Sequence, residues 1–273
     1  MVDTDPSPRR GKQANACALK RQAASTKPVP IDDGDAARER HLVALAQDPV
    51  DQRERRGSGG GERRGGLRPE LVVLHYTAMP DCQVALERLC DPMAEVSAHY
   101  LIDRDGTVLS LVDEAARAWH AGAGVWGGRD DVNSRSIGIE LVNRGDEPFA
   151  AQQMTALERL LDGVLARWSI QPEAVIGHSD MAPDRKADPG PRFDWRRLAQ
   201  SGLSVWPEPG DDQADFVTSA RTFGFPGTDE ALLLAAFRLR FRPWAKGPAD
   251  ATDRALAADL ARRFSVDGAA RQA

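Results

Sequence analysis

Leu71-Val72-Val73-Leu74-His75-Tyr76-Thr77 begins with four apolar, mostly β-favouring residues and runs directly into an imidazole. An apolar run without alternation predicts a strand covered on both faces, so the segment belongs inside a sheet flanked by helices. Ser136-Ile137-Gly138-Ile139-Glu140-Leu141 does alternate, with Ile137, Ile139 and Leu141 on one face and Gly138 and Glu140 on the other. An acid projecting from a strand that is otherwise core is costly unless it has a chemical task. A third short strand, Ala174-Val175-Ile176-Gly177, leads into His178.

Working outward, residues 81–91 read as a helix. The segments Ala98–Ile102 and Val108–Val112 flank Asp105-Gly106, a strong hairpin signal. Residues 121–135 are rich in glycine and polar groups and read as a loop over a site. Met154, Leu157, Leu160, Leu161, Val164, Leu165 and Trp168 recur at helical spacing, predicting a long amphipathic helix against the sheet. Beyond Trp206-Pro207-Glu208-Pro209-Gly210 the pattern is wholly helical. Phe216, Ala220 and Phe223 mark one helix, with Gly224 as its stop; Leu233, Ala236 and Phe237 mark a second. A third carries Leu256, Leu260 and Phe264, with Asp250 as its cap. These three helices are expected to form a small independent bundle, and no strong internal repeat is present.

No aromatic residue precedes Tyr76, and residues 1–66 are dominated by Arg, Asp, Gln, Ser, Gly and Pro. Such a leader buries too little apolar surface to offset ordering, so most of it is expected to be disordered. The exceptions are a short amphipathic helix over Asp35–Gln47, with His41 exposed on it, and a flexible linker at Ser58-Gly59-Gly60-Gly61. The formal charge of −5, with acids and bases interspersed, argues against a nucleic-acid partner. Cys17, Cys82 and Cys90 are odd in number and lack a CxxC pair, which argues against a disulfide framework. No apolar run approaches the roughly 20 residues that span a bilayer, and the first residues lack the core of a secretory signal. The compartment expected from this is the cytoplasm. Cys17 after Ala14-Asn15-Ala16 leaves a periplasmic, outer-membrane lipoprotein as the alternative should the true start lie elsewhere.

The chemistry concentrates at the strand ends. His75 and His178 each end a strand, and Asp188 follows ten positions after His178 in a segment stiffened by Pro183, Pro189 and Pro191. Two histidines and a carboxylate leave a fourth tetrahedral position open, as catalytic zinc requires. Asp180 and Asp184 compete with Asp188 for the third position, and spacing does not separate them. Glu140 is the acid expected to face the open position as proton acceptor, and Lys186 the cation expected to stabilise an oxyanion. The plainer alternatives are a core histidine, a salt-bridged strand acid and a surface lysine. His99, among apolar neighbours, reads as buried and hydrogen-bonded. His120, Trp126 and Asn133, in and beside the glycine-rich loop, are candidates for contacting substrate.

Val73-Leu74-His75-Tyr76-Thr77, Ser97-Ala98-His99-Tyr100-Leu101-Ile102-Asp103, Ser136-Ile137-Gly138-Ile139-Glu140 and Gly177-His178-Ser179-Asp180 through Asp188-Pro189-Gly190 stand in a specific order and spacing. By them the sequence resembles type-2 N-acetylmuramoyl-L-alanine amidases over about residues 67–200. The resemblance implies an α/β (α+β) fold, a mixed central β-sheet flanked by helices. It also implies a Zn2+ cofactor on His75, His178 and Asp188, with Glu140 and Lys186 as catalytic acid/base and oxyanion-stabilising residues. The implied substrate is peptidoglycan or a muropeptide, cleaved between ordinary or 1,6-anhydro N-acetylmuramic acid and L-alanine. A peptidoglycan-binding module without turnover, or a zinc peptidase acting on other amides, is the alternative. Residues 214–265 resemble the helical peptidoglycan-binding-type domain behind some members, through Phe237, Phe241, Arg242, Pro243 and Trp244. The organisation expected is a leader over 1–66, a catalytic domain over 67–202, a linker over 203–213 and a helical domain over 214–267.

Overall fold

The structure is a computed structural model that describes residues 60–208, 210 and 214–266, together with the backbone of 52–54. The leader helix at Asp35–Gln47, His41 and Cys17 lie outside the described residues.

The apolar run forms β3, Leu71–Tyr76, which sits inside the sheet with parallel partners on both sides: β7, Ser136–Leu141, and β8, Val175–Gly177. On the far side of β7 lies β4, Tyr100–Ile102, parallel to it. The Asp105-Gly106 turn, with Gly106 at φ +91°, then joins β4 to antiparallel β5, Val108–Ser110. The edge is β1, Gln52–Glu54, parallel to β5, so among the described residues the sheet has six strands in the order β1-β5-β4-β7-β3-β8. A two-stranded piece pairs β2, Gly60–Gly61, with β6, Arg117–Ala118. It is a mixed sheet flanked by helices, in line with the fold expected.

Strand alternation then sorts the core into layers. Val72, Leu74, Ile137, Ile139 and Leu141 face one helix, α3 (Ala151–Trp168), through its Met154, Leu157, Leu161 and Val164 stripe. On the opposite face, α1 (Cys82–Cys90) covers Leu101 and Leu109 with Ala85, Leu86 and Leu89. A four-residue helix, α2 (Val132–Arg135), precedes β7, while α4 (His178–Met181) follows β8 and α5 (Trp195–Gln200) comes after it. The C-terminal helices are α6 (Phe216–Phe223), α7 (Glu230–Phe241) and α8 (Ala251–Phe264), each with an aspartate N-cap: Asp215, Asp229 and Asp250.

Three expectations are corrected here. First, the C-terminal helices are not an independent bundle. Phe223, Phe225, Phe237 and Phe241 share one core with Leu71, Val73, Ile176 and Met181, so the bundle is the second cover of the sheet. Second, the 203–213 segment is not a free linker in its described part: Leu203 and Val205 are buried, and Arg263 donates to the Trp206 carbonyl at 2.7 Å. Third, the ordered chain starts before Leu67. Gly60–Gly61 pair as β2, and buried Arg63 donates to the carbonyls of Ser134, Ser136 and Glu114 at 3.1, 3.1 and 2.7 Å. Polar composition misleads there because the segment is held by backbone pairing and one guanidinium rather than by apolar side chains.

Candidate metal centre

Parallel pairing puts the chemistry at one end of the sheet. His75 and Glu140 are cross-strand partners, each the fifth residue of a six-residue strand, and His178 directly follows β8. All three lie at the carboxyl ends of parallel strands, where open α/β sheets place their clefts. A cleft of about 480 Å³ opens there, lined by His75, Glu140, His178, Lys186 and Asp188 together with Leu89, Met79 and exposed Trp119.

His75, His178 and Asp188 are buried and converge. His75 Nδ1 is 3.0 Å from His178 Nδ1 and 2.9 Å from Asp188 Oδ2; His178 Nδ1 is 3.0 Å from the same oxygen. His178 Nε2 lies 2.9 Å from the Ala121 carbonyl, which only accepts, so that nitrogen carries the proton and Nδ1 turns a lone pair inward. A lone pair and a carboxylate oxygen at 3.0 Å call for a cation between them. Four-coordinate zinc with bonds near 2.0–2.1 Å would hold its ligand atoms about 3.3 Å apart. The donor set and its spacing therefore fit a divalent ion. Burial, followed by the nearby His178, lowers the His75 pKa to about 4, which keeps the ring neutral as a ligand must be.

Glu140 is different. Its Oε2 is buried with no hydrogen-bond partner, and burial together with the charge of Asp188 raises its pKa to about 8 against the opposing pull of Lys186. A carboxyl tuned toward neutrality in a cleft is suited to trading protons with a reactant. Lys186 is exposed on the same cleft.

The three candidates in and beside the loop are placed differently from one another. Trp126 is 1% exposed, with its ring edge-on to Phe223 and Phe225 at 5.6 and 5.5 Å; it anchors the loop to the C-terminal helices and does not line the cleft. The reading of Trp126 as a substrate contact is corrected accordingly: an apolar surface not foreseen in the loop's surroundings captures it. Asn133 is buried and accepts from the His120 and Ala121 amides at 3.0 and 2.8 Å. His120 reaches the cleft wall, but both its ring nitrogens face protein groups, His75 Nε2 at 3.1 Å and Ser136 Oγ at 3.2 Å. His99 is fully buried, its Nδ1 accepting from the Gly138 amide at 2.9 Å.

Asp180, a rival ligand by spacing, is paired elsewhere. Its Oδ2 accepts from Arg240 Nη1 at 2.6 Å and from the Gly177 amide at 2.9 Å, while Arg240 also donates to Val175 O and Ser204 Oγ and lies 4.2 Å over the Trp195 ring. Sequence reading did not single out Arg240, although its place three and four residues after Phe237 and Ala236 puts it on the buried stripe of α7. In consequence, Asp180→Asn is expected to leave metal affinity within a few-fold of the parent. It should cost roughly 3–5 kcal/mol of stability by stranding the buried guanidinium, measurable by denaturant unfolding.

Comparison with known proteins follows the same lines. Residues 65–191 match the sequence family described as N-acetylmuramoyl-L-alanine amidase. The chain is 35% identical to the N-acetylmuramoyl-L-alanine amidase AmiD of Escherichia coli K12, with 73% of this chain and 85% of AmiD covered. The chain belongs to the type-2 N-acetylmuramoyl-L-alanine amidase family. Among solved amidase structures, AmiD from E. coli in complex with anhydro-N-acetylmuramic acid-L-Ala-D-gamma-Glu-L-Lys superposes with a TM-score of 0.66 at 33% identity, covering 77% of this chain and 93% of AmiD. AmpDh3 from Pseudomonas aeruginosa, in complex with anhydromuramic pentapeptide, gives a TM-score of 0.67 at 30% identity, covering 77% of this chain and 97% of AmpDh3. Both matches take in more of the chain than residues 65–191, so the amidase likeness extends beyond that span.

Proposed function

We propose that this amidase is zinc-dependent and hydrolyses the amide between N-acetylmuramic acid, above all its 1,6-anhydro form, and the L-alanine of the stem peptide in muropeptides. The carrying observation is the convergence of His75 Nδ1, His178 Nδ1 and Asp188 Oδ2 beside Glu140, whose Oε2 is buried with no hydrogen-bond partner. The anhydromuramyl peptides held by AmiD and AmpDh3 support the substrate.

In this reading His75, His178 and Asp188 hold the ion. Bound there, zinc supplies Lewis acidity, making water acidic enough to attack near neutral pH and polarising an amide carbonyl. Glu140 takes the proton from the attacking water as the new C–O bond forms. It then passes that proton to the departing nitrogen as the C–N bond breaks, leaving the carboxylate on the lactyl group and a free amine on L-alanine. The Lys186 ammonium stabilises the negative charge that gathers on the carbonyl oxygen. Residues 67–202 form the catalytic unit, and residues 214–266 act as its structural cover. No helix among the described residues is long and apolar enough to cross a membrane.

The ligand assignment is tested by comparing Asp188→Ala with the Asp180→Asn variant. Removing Asp188 is expected to weaken zinc binding by more than about 100-fold, beyond the 10–100-fold typical of supporting residues, in a chelator-competition titration. Equal weakening in the two variants would dissolve the distinction between them.

A further inference from the structure

His120 lies against His75, and its hydrogen bonds have a direction that elementary donor rules fix. The Val132 carbonyl can only accept, so Ser136 spends its hydroxyl proton there, at 2.6 Å. Ser136 Oγ is then the acceptor for the His120 Nε2 proton at 3.2 Å. A neutral His120 with its proton on Nε2 presents a bare Nδ1, and the group facing it at 3.1 Å is His75 Nε2. His75 therefore donates from Nε2 and turns an unprotonated Nδ1 toward His178 Nδ1 and Asp188 Oδ2.

We infer that His120 is a positioning residue: with Ser136 and the Val132 carbonyl it fixes His75 in the tautomer whose Nδ1 lone pair faces the metal position. The inference rests on the assignment of His75 as a ligand. It explains why two chain features occur together. Gly138 lies on the same strand face as Glu140, and a Cβ there would stand 2.3 Å from His120 Cγ, so only glycine leaves room for the ring against the strand. Asn133 fixes the backbone of the same segment by accepting from the His120 and Ala121 amides. His178 is set in the matching tautomer by a separate acceptor, the Ala121 carbonyl, so the two imidazoles are oriented independently.

The test uses the full chain and two readouts, zinc affinity by chelator competition and the 15N imidazole signals of His75 in the zinc-free protein. His120→Leu is expected to weaken zinc binding by about 10–100-fold, the usual cost of losing a ligand's hydrogen-bond partner, and to mix the His75 tautomers. His120→Asn, whose Oδ1 can accept where Nδ1 did, should recover affinity to within a few-fold. Gly138→Ala, which keeps His120 but displaces its ring, should weaken zinc as His120→Leu does. The inference is overturned if His120→Leu binds zinc like the parent, or if parental His75 carries its proton on Nδ1. The second measurement decides the matter even if His120→Leu does not fold. A parent protein that binds no zinc would overturn the ligand assignment itself and this inference with it.

Discussion

Glu140→Gln is expected to lower kcat by about 10²–10⁴-fold while zinc stays bound at one ion per chain. Glutamine keeps the size and shape of the side chain but cannot exchange a proton, so both halves of the proposed proton transfer are lost together. The fold should hold, because Glu140 Oε2 makes no hydrogen bond that the amide would break, and the amide is neutral like the protonated carboxyl that the raised pKa favours. Metal analysis and steady-state kinetics on anhydro-muropeptide check the two halves of this statement. Loss of zinc in the variant would make Glu140 a ligand, and retention of turnover would pass the proton to another group.

Deleting residues 211–273 should be more damaging, and to the fold itself. Without α6–α8, Leu71, Val73, Ile176, Met181 and Trp126 lose their cover. At about 1.5–3 kcal/mol for each large apolar side chain returned to water, the loss is on the order of 10 kcal/mol, comparable with the whole net stability of a domain. Arg240 goes as well, leaving Asp180 buried without its cation two residues after His178. The expected product is aggregated, or lacks a cooperative unfolding transition, and binds no zinc. Circular dichroism melting and metal content measure this. A soluble, zinc-loaded, active truncation would restore the tail to the status of an attached module.

The legible parts of the sequence were those governed by local periodicity. The run from Leu71 to Leu74 read as a strand covered on both faces, and the 2-residue alternation in Ile137–Leu141 put Glu140 on the face His75 occupies once the two strands pair. The caps and stops of the last helices, Asp250 and Gly224, were local as well. What stayed hidden depended on partners far along the chain. Asp180 and Asp188 are equivalent by spacing, and what separates them is Arg240, 60 residues from Asp180. Trp126 lies in a loop of polar composition, yet its ring belongs to a core completed by Phe223 and Phe225. His120 and Ser136 stood in motifs noted for other reasons, and only their mutual placement reveals a directed chain of hydrogen bonds.

In the proposed reading, an ion held by His75, His178 and Asp188 is what makes this chain an amidase. Its most direct test is to incubate the purified protein with a defined anhydromuramyl peptide, before and after chelation and again after zinc is returned, identifying products by mass. Free stem peptide should appear with the untreated protein, vanish on chelation and return with zinc. Undiminished release from protein shown to be metal-free would mean that the amide is cleaved without the ion.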